Sequence, residues 1–338
     1  MGYRHCDARC VCVINFGLGK ANDLVRVGRR GFTWDMPRRF QGFAIADPAE
    51  LTIQGAAPKV IVRKIGRDGE TRYIAKRPEK FGEVETYTEF FSNQLGLRLG
   101  FNMAHSGLMK IDGQLHFASK SFLSSEERLV HGSLLVAEAL GEKQEIEEIK
   151  GPAEQRFYSI AFIVDVMGRM CAESAAAVVT DLIAMLVFDS LIGSMDRHGQ
   201  NWGVVSETQE LSSYRLAPIF DTARALLWDH DDPKILKLTG QEHQFQGYLR
   251  RARPCMGIEG EDTVNHFKLV AHLLRWYRSE TVKALDKIQI DKVRKGIKIL
   301  SAFPFDRAFS KLRSAAIARV LIERATCLGQ IAEGVDLA

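Results

Sequence analysis

The chain has 338 residues, 46% hydrophobic and 26% charged, enough apolar material for a large core in two domains or one bilobal domain. Its 46 basic and 42 acidic residues leave a formal net charge of +4, too balanced for nucleic acid to be the main partner and compatible with an anionic nucleotide. Six scattered cysteines in a chain this long argue for reduced thiols in the cytoplasm rather than a disulfide framework. The cluster His5, Cys6, Cys10 and Cys12 has no paired C-x-x-C elsewhere, so no metal is assigned to it. No signal peptide or transmembrane segment is expected. The start lacks an apolar core, and the greasiest stretch, Ala175 to Ile192, is broken by Asp181 and Asp189 and reads as a buried helix.

In chain order, Cys10 to Phe16 reads as a strand. Arg26 to Phe40 interleaves arginines with Phe32, Trp34 and Phe40, and reads as the exposed face of a small β-rich segment rather than a nucleic-acid or membrane surface. Met36 is an alternative start, because nothing upstream of it is needed by the motifs. From Leu51, LTIQGAAPKVIV is not a Walker A loop, which would open a helix. It reads as a turn between strands, with Gly55 and Lys59 placed to cover phosphates. Lys64 to Glu70 makes the next turn, and Thr71 to Lys76 is a strand ending in lysine.

Glu83 to Leu97 has apolar residues at helical spacing and leaves Glu85 and Glu89 one turn apart on a common side. Either can orient Lys76. Gly113 to Leu123 reads as a strand that serves as the hinge between lobes, and Glu126 to Gly141 as the start of a mostly helical lobe. Tyr158 to Met170 and Ala175 to Ile192 read as apolar helices, Pro233 to Gly240 as strand-like, and His266 to Leu300 and Phe309 to Ile331 as amphipathic helices. The expected fold class is α+β and bilobal, with a small β-rich first lobe carrying one main helix. The expected boundaries are 1–50 for an N-terminal extension, 51–123 for the first lobe and 124–338 for the helical lobe.

The chemistry concentrates in IGSMDRHGQNWGVVSETQELSSYRLAPIFD, residues 192–221. Protein kinases place an Asp that accepts the substrate hydroxyl proton five residues before an Asn that holds magnesium, and a second metal-binding Asp follows. Asp196 and Asn201 have that spacing. Trp202 to Ser206 and Tyr214 to Ile219 read as a hairpin that returns Asp221 beside Asn201. A loose, anionic transition state requires this set: a carboxylate facing the acceptor, and hard oxygen ligands fixing the metal on the phosphates.

The ordered set TIQGAAPK, RYIAK, YTEFFSNQLGLRLGF, the His131–Gly132 pair, GSMDRHGQNWGVV, LAPIFDTARAL and KILKLTG resembles the HipA-like serine/threonine protein kinases, over about Leu51 to Gly240. The resemblance implies ATP and Mg2+ as cofactors, with Gly55 and Lys59 in the phosphate loop and Lys76 as the nucleotide-binding lysine. Glu89, eleven residues before Gly100, matches its glutamate partner. Asp196 matches the catalytic residue, and Asn201 and Asp221 the magnesium ligands, which also belong to the catalytic set. Arg197 and His198 are implied to be structural props, and Thr52 an alternative phosphate acceptor.

The implied activity is transfer of the ATP γ-phosphate to a protein hydroxyl, by a toxin or effector kinase that also autophosphorylates. The implied partners are a protein substrate and an antitoxin or DNA-binding partner protein, and secretion as an effector stays open beside a cytoplasmic location. The short segment ahead of the phosphate loop departs from the larger family members, which carry a sizeable β-rich subdomain there. The residues after Asp221 are Thr222 and Ala223 rather than Phe-Gly. Two other readings stand: a phosphoinositide or small-molecule kinase, since lipid kinases also use a D-R-H-x-x-N loop, and a nucleotide-binding regulator without catalysis.

Overall fold

The runs KVIV and YIA are rich in β-branched and aromatic residues, and in the second the buried Tyr73 and Ala75 flank the exposed Ile74, the pattern of a strand with one covered face. In a computed structural model, which describes residues 43–45, 59–66, 69–141, 158–207 and 213–336, they lie in a five-stranded antiparallel sheet. Its strands are β1 (Phe43–Ile45), β2 (Lys59–Gly66), β3 (Gly69–Lys76), β4 (Ser106–Ile111) and β5 (Gln114–Lys120), in the order β1-β2-β3-β5-β4. The turn expected over Lys64 to Glu70 is tighter than that, because β2 runs on to Gly66 and β3 starts at Gly69. Val62, Tyr73, Ala75, Met109, Ile111 and Ala118 make a small core on the sheet. The expected strand over Cys10 to Phe16, the Arg26 to Phe40 segment, Thr52 and Gly55 lie outside the described residues.

Helix α1 (Glu83–Arg98) packs on β4 and β5. Phe90 and Phe91 leave it for the far end of the chain. Each ring centroid lies 5.5 Å from that of Phe305, and Phe91 lies 6.4 Å from Phe309. The helix is therefore clamped between the sheet and the C-terminal segment, so the side chains on its inner face are fixed before any ligand arrives.

A second, three-stranded sheet holds β6 (Glu127–His131), β7 (Gly203–Glu207) and β8 (Tyr214–Leu216). Glu126 to Gly141, expected to open the mostly helical lobe, holds β6 ahead of α2 (Gly132–Ala139), because Leu129, Val130 and His131 pair with Val205, Val204 and Gly203. Gly132 is required at the junction: a Cβ there would fall 2.2 Å from the Trp202 ring.

The larger lobe follows with α3 (Ile160–Met170) and α4 (Ala175–Ile192), the latter with the expected bounds. Among the described residues, one helical stretch, Ala172–Ile192, is long and apolar enough to cross a membrane, but it is the central core element, packed by α3 and by three later helices. Those are α7 (His266–Trp276), α8 (Arg278–Lys287) and α11 (Lys311–Ala332). Between α4 and α7 lie α5 (Asp232–Thr239) and α6 (Glu242–Arg251), and between α8 and α11 lie α9 (Ile290–Gly296) and α10 (Phe305–Ala308).

The strand expected over Pro233 to Gly240 is instead helix α5. Asp231 accepts the Lys234 N–H at 3.0 Å as an N-cap, Pro233 sits in the first turn, and the buried residues, Ile235 and Leu238, are three apart. Capping and helical burial spacing override the alternation of KILKL.

Candidate functional site

Helix α4 stops at Gly193, which takes the left-handed conformation at φ 66° and returns its N–H toward the last turn. The chain turns into the loop 194–201, and buried groups hold that loop at several points. His266 donates from Nε2 to the Ser194 carbonyl at 2.7 Å. Burial pushes the His266 pKa down to about 3, so the ring is neutral at ordinary pH.

Arg197, 1% exposed, grips Asp189 of α4 as a fork, Nε to Oδ2 at 2.8 Å and Nη2 to Oδ1 at 2.9 Å. Its remaining nitrogen, Nη1, donates to the carbonyls of Asn201 at 2.7 Å and Phe220 at 2.5 Å. One guanidinium thereby fixes the core helix, Asn201 and the residue before Asp221 together. Asp189, which in the sequence only interrupts an apolar run, is the anion this arrangement needs.

Asn201 donates its amide N–H to the Asp196 carbonyl at 2.6 Å and faces His198 Nε2 at 3.2 Å. With the nitrogen so used, its side-chain oxygen is left to other partners. Burial lowers the His198 pKa, so this ring too is neutral. The hairpin β7–β8 carries the chain back, and Asp221 adopts φ 54°, sparsely populated for a residue with a Cβ.

Across the cleft, β2 and β3 place Lys59 directly opposite Lys76, so both ammonium groups project from one face of the sheet. Lys76 Nζ sits 2.6 Å from Asp221 Oδ1 and 3.1 Å from Glu89 Oε2, joining the two lobes. Glu85, the other candidate partner, accepts the backbone N–H groups of Glu79, Lys80 and Phe81 at 2.7–3.0 Å and anchors the loop ahead of α1.

The electrostatics follow from these distances. Burial disfavours the charged form of Lys76, yet Asp221 and Glu89 outweigh it and hold the pKa above the ordinary lysine value. Burial would likewise lift Asp221, but the Lys76 ammonium, its hydrogen bond and the nearby Lys59 and Arg197 charges pull it down to about 2. Glu89, 3% exposed, is pushed up to about 7 by burial, with Lys76 acting against this and the Asp221 charge adding to it. Burial also lowers the Lys59 pKa, against the pull of Asp221 and Glu89. Two cations and two carboxylates are thus packed face to face.

Asp196 and Asp221 keep 22% and 23% of their side chains exposed, so both are reachable from the cleft. Burial raises the Asp196 pKa, with Arg224 opposing it. The structure therefore gathers Lys59, Lys76, Glu89, Asp196, Asn201 and Asp221 into one cleft, while Gly55 lies outside the described residues. Arg224, whose Nη1 lies 3.2 Å from Asp196 Oδ1, was marked by no signal beyond its nearness to Asp221.

A family model described as the HipA-like C-terminal domain matches residues 51–289, well over half of the chain. The chain belongs to the HipA-like C-terminal domain family. Among solved structures, the Helicobacter pylori proinflammatory kinase CtkA superposes with a TM-score of 0.65 at 17% identity, covering 81% of this chain and 93% of that one. HipA of Shewanella oneidensis MR-1, solved with HipB and operator DNA, superposes at 0.54 and 14% identity, covering 93% of this chain and 78% of that one. Among curated proteins, none matches. At these identities the likeness is one of fold, and the fold is the bilobal kinase-like one expected from the sequence. The motifs from TIQGAAPK to KILKLTG all fall inside the matched HipA-like segment.

Proposed function

We propose that this HipA-like chain is an ATP- and magnesium-dependent protein kinase that phosphorylates serine or threonine hydroxyls. The observation that carries the proposal is Lys76, whose ammonium touches Glu89 of the first lobe and Asp221 of the second at once. A lysine held this way is placed to meet the phosphates of a nucleotide lying between the lobes, with Asp221 beside them.

The residues present fit the cofactors. Lys59 and Lys76 stand opposite each other in register on one face of the sheet, so two ammonium groups are placed to share one polyphosphate. Asn201 and Asp221 offer hard oxygens, too few to complete a magnesium sphere and suited to an ion shared with phosphate oxygens. Among the described residues, no group of three or more His, Cys, Asp and Glu forms a self-sufficient metal cage. When bound, ATP supplies the phosphoryl group, and magnesium neutralises the charge that develops on it.

The protein's part is positioning. Lys76 and Lys59 hold the phosphates, Glu89 orients Lys76, and Asn201 and Asp221 hold the metal. Asp196 receives the acceptor hydroxyl and its proton, while Arg197 and His198 shape the loop without touching the reacting atoms. Gly55, outside the described residues, is assigned to the phosphate loop on the family resemblance alone. A toxin or effector role and a HipB-like partner belong to the same proposal, on family membership.

Radiolabelled ATP incubated with the protein and either a protein extract or lipid vesicles tests it. Label on protein, from the parent chain and not from Asp196→Asn, is expected. Label on lipid alone would make it a lipid kinase, and an active Asp196→Asn would remove Asp196 from the chemistry.

A further inference from the structure

Arg224 lies in the segment that follows Asp221. Its Nη1 donates to Asp196 Oδ1 at 3.2 Å and its Nη2 reaches Glu79 Oε2 of the first lobe at 3.5 Å. The guanidinium lies 5.5 Å from the centroid of the Trp228 ring, and Trp228 meets Phe81 edge-on at 5.1 Å. Glu79 and Phe81 belong to the loop whose N–H groups Glu85 gathers. One side chain therefore bridges the residue proposed to receive the acceptor and the loop that leads into α1.

We infer that Arg224 is a positioning residue, a cross-lobe clamp that aims the Asp196 carboxylate at the acceptor hydroxyl. This rests on the proposal that Asp196 receives that hydroxyl. Arg224 donates to Oδ1, and on this inference Oδ2 is the oxygen that meets the acceptor. A lone exposed ion pair is worth little. Arg224 differs in being shared between two acids, stacked on an indole and mounted on a backbone that is itself held in place.

That backbone is unusual. Among the described residues five non-glycine positions have positive φ, and three of them, Asp221, Leu226 and Leu227, lie in this segment. Such conformations persist only where the surroundings over-determine them. Here the Met195 N–H donates to the Arg224 carbonyl at 3.3 Å, and the Leu226 N–H donates to Ile192 at 3.3 Å. The Leu227 N–H donates to Tyr248 Oη at 2.9 Å. Arg313 donates to the Leu227 carbonyl at 3.0 Å and also binds that of His230. Arg224 is thus presented from a fixed base, paired through its backbone with the residue before Asp196.

The clamp touches Asp196 and Glu79 but makes no hydrogen bond to Lys76, Asn201 or Asp221, so it acts on the acceptor side of the cleft. Steady-state turnover of magnesium-ATP, with a protein extract as acceptor, separates this role from a structural one. Arg224→Gln is expected to lower kcat about tenfold to a hundredfold while the KM for ATP stays within about twofold. Arg224→Lys, which keeps the charge without the fork, recovers part of kcat. Glu79→Gln, losing the longer contact, lowers kcat by about two- to fivefold.

Asp196→Asn is run beside them. If it is inactive while Arg224→Gln keeps the parent kcat, the clamp is overturned and the site assignment stands. If Arg224→Gln raises the KM for ATP as much as it lowers kcat, the residue is structural and the clamp is overturned again. An active Asp196→Asn, or a parent chain without turnover toward protein or water, overturns the site assignment and the clamp with it.

Discussion

Arg197→Met removes the guanidinium at the centre of the loop and leaves Asp189, 1% exposed, without a counter-charge. The cost comes mainly from that stranded carboxylate, about 3–5 kcal/mol when one partner of a buried pair is deleted. The carbonyls of Asn201 and Phe220 also lose their donor. Against a total stability of about 5–15 kcal/mol, the variant is expected to be marginal. The double variant Asp189→Leu with Arg197→Met removes both charges and is expected to recover most of the loss, because an apolar pair of similar volume often replaces a buried ion pair at little cost. It is not expected to recover binding of magnesium-nucleotide, since the donor shared by the Asn201 and Phe220 carbonyls is then gone. Guanidinium denaturation followed by circular dichroism gives the stabilities, and titration with a fluorescent ATP analogue gives the binding. The reasoning is refuted if Arg197→Met unfolds within about 0.5 kcal/mol of the parent, the range of an indifferent surface change, or if the double variant binds nucleotide as the parent does.

Lys76→Ala is expected to weaken magnesium-nucleotide binding by at least about tenfold, and to destabilise the free protein by leaving Asp221 and Glu89 facing each other; an unchanged Kd would contradict the role given to the lysine. Gly132→Ala puts a Cβ 2.2 Å from the Trp202 ring and is expected to cost about 1–3 kcal/mol by overpacking, read from the denaturation midpoint. His266 is neutral when folded, with its pKa lowered from 6.5 to about 3 by burial, while the unfolded chain takes up a proton below about 6.5. Stability is therefore full above pH 6.5 and falls as the pH drops from there toward 3, by about 5 kcal/mol at most. His266→Gln should flatten that acid limb, and an acid limb identical in the two proteins would refute the assignment.

The candidate site's central stretch was legible because its pattern is local in sequence: the separation of Asp196 from Asn201, and a hairpin that returns Asp221, need no knowledge of distant contacts. Helix α4 was legible to the residue because an apolar run ends at a glycine that takes the left-handed cap. The β6 strand was not, since Glu127 to His131 becomes a strand only by pairing with β7, from His131 opposite Gly203 to Glu127 opposite Glu207. In α5, alternation over a short run suggested a strand, but the Asp231 cap and the spacing of Ile235 and Leu238 decided for helix. Helical spacing alone leaves Glu85 and Glu89 equal, since both lie on one side of α1; the family resemblance points to Glu89, and the fold pairs Glu89 with Lys76 while Glu85 turns to the loop ahead of the helix. The same holds for Asp189, which spacing marks only as a flaw in a greasy helix and which the fold uses as the anchor of Arg197.

Manganese substituted for magnesium makes the central arrangement directly visible. Paramagnetic resonance of Mn2+ titrated with an ATP analogue is expected to show a tight ternary complex with the parent chain, weakened in Asn201→Ala and in Asp221→Asn, although both variants remain folded. A ternary complex of equal affinity in all three proteins would mean that the cleft between Lys76 and Asp221 does not hold the metal and its nucleotide.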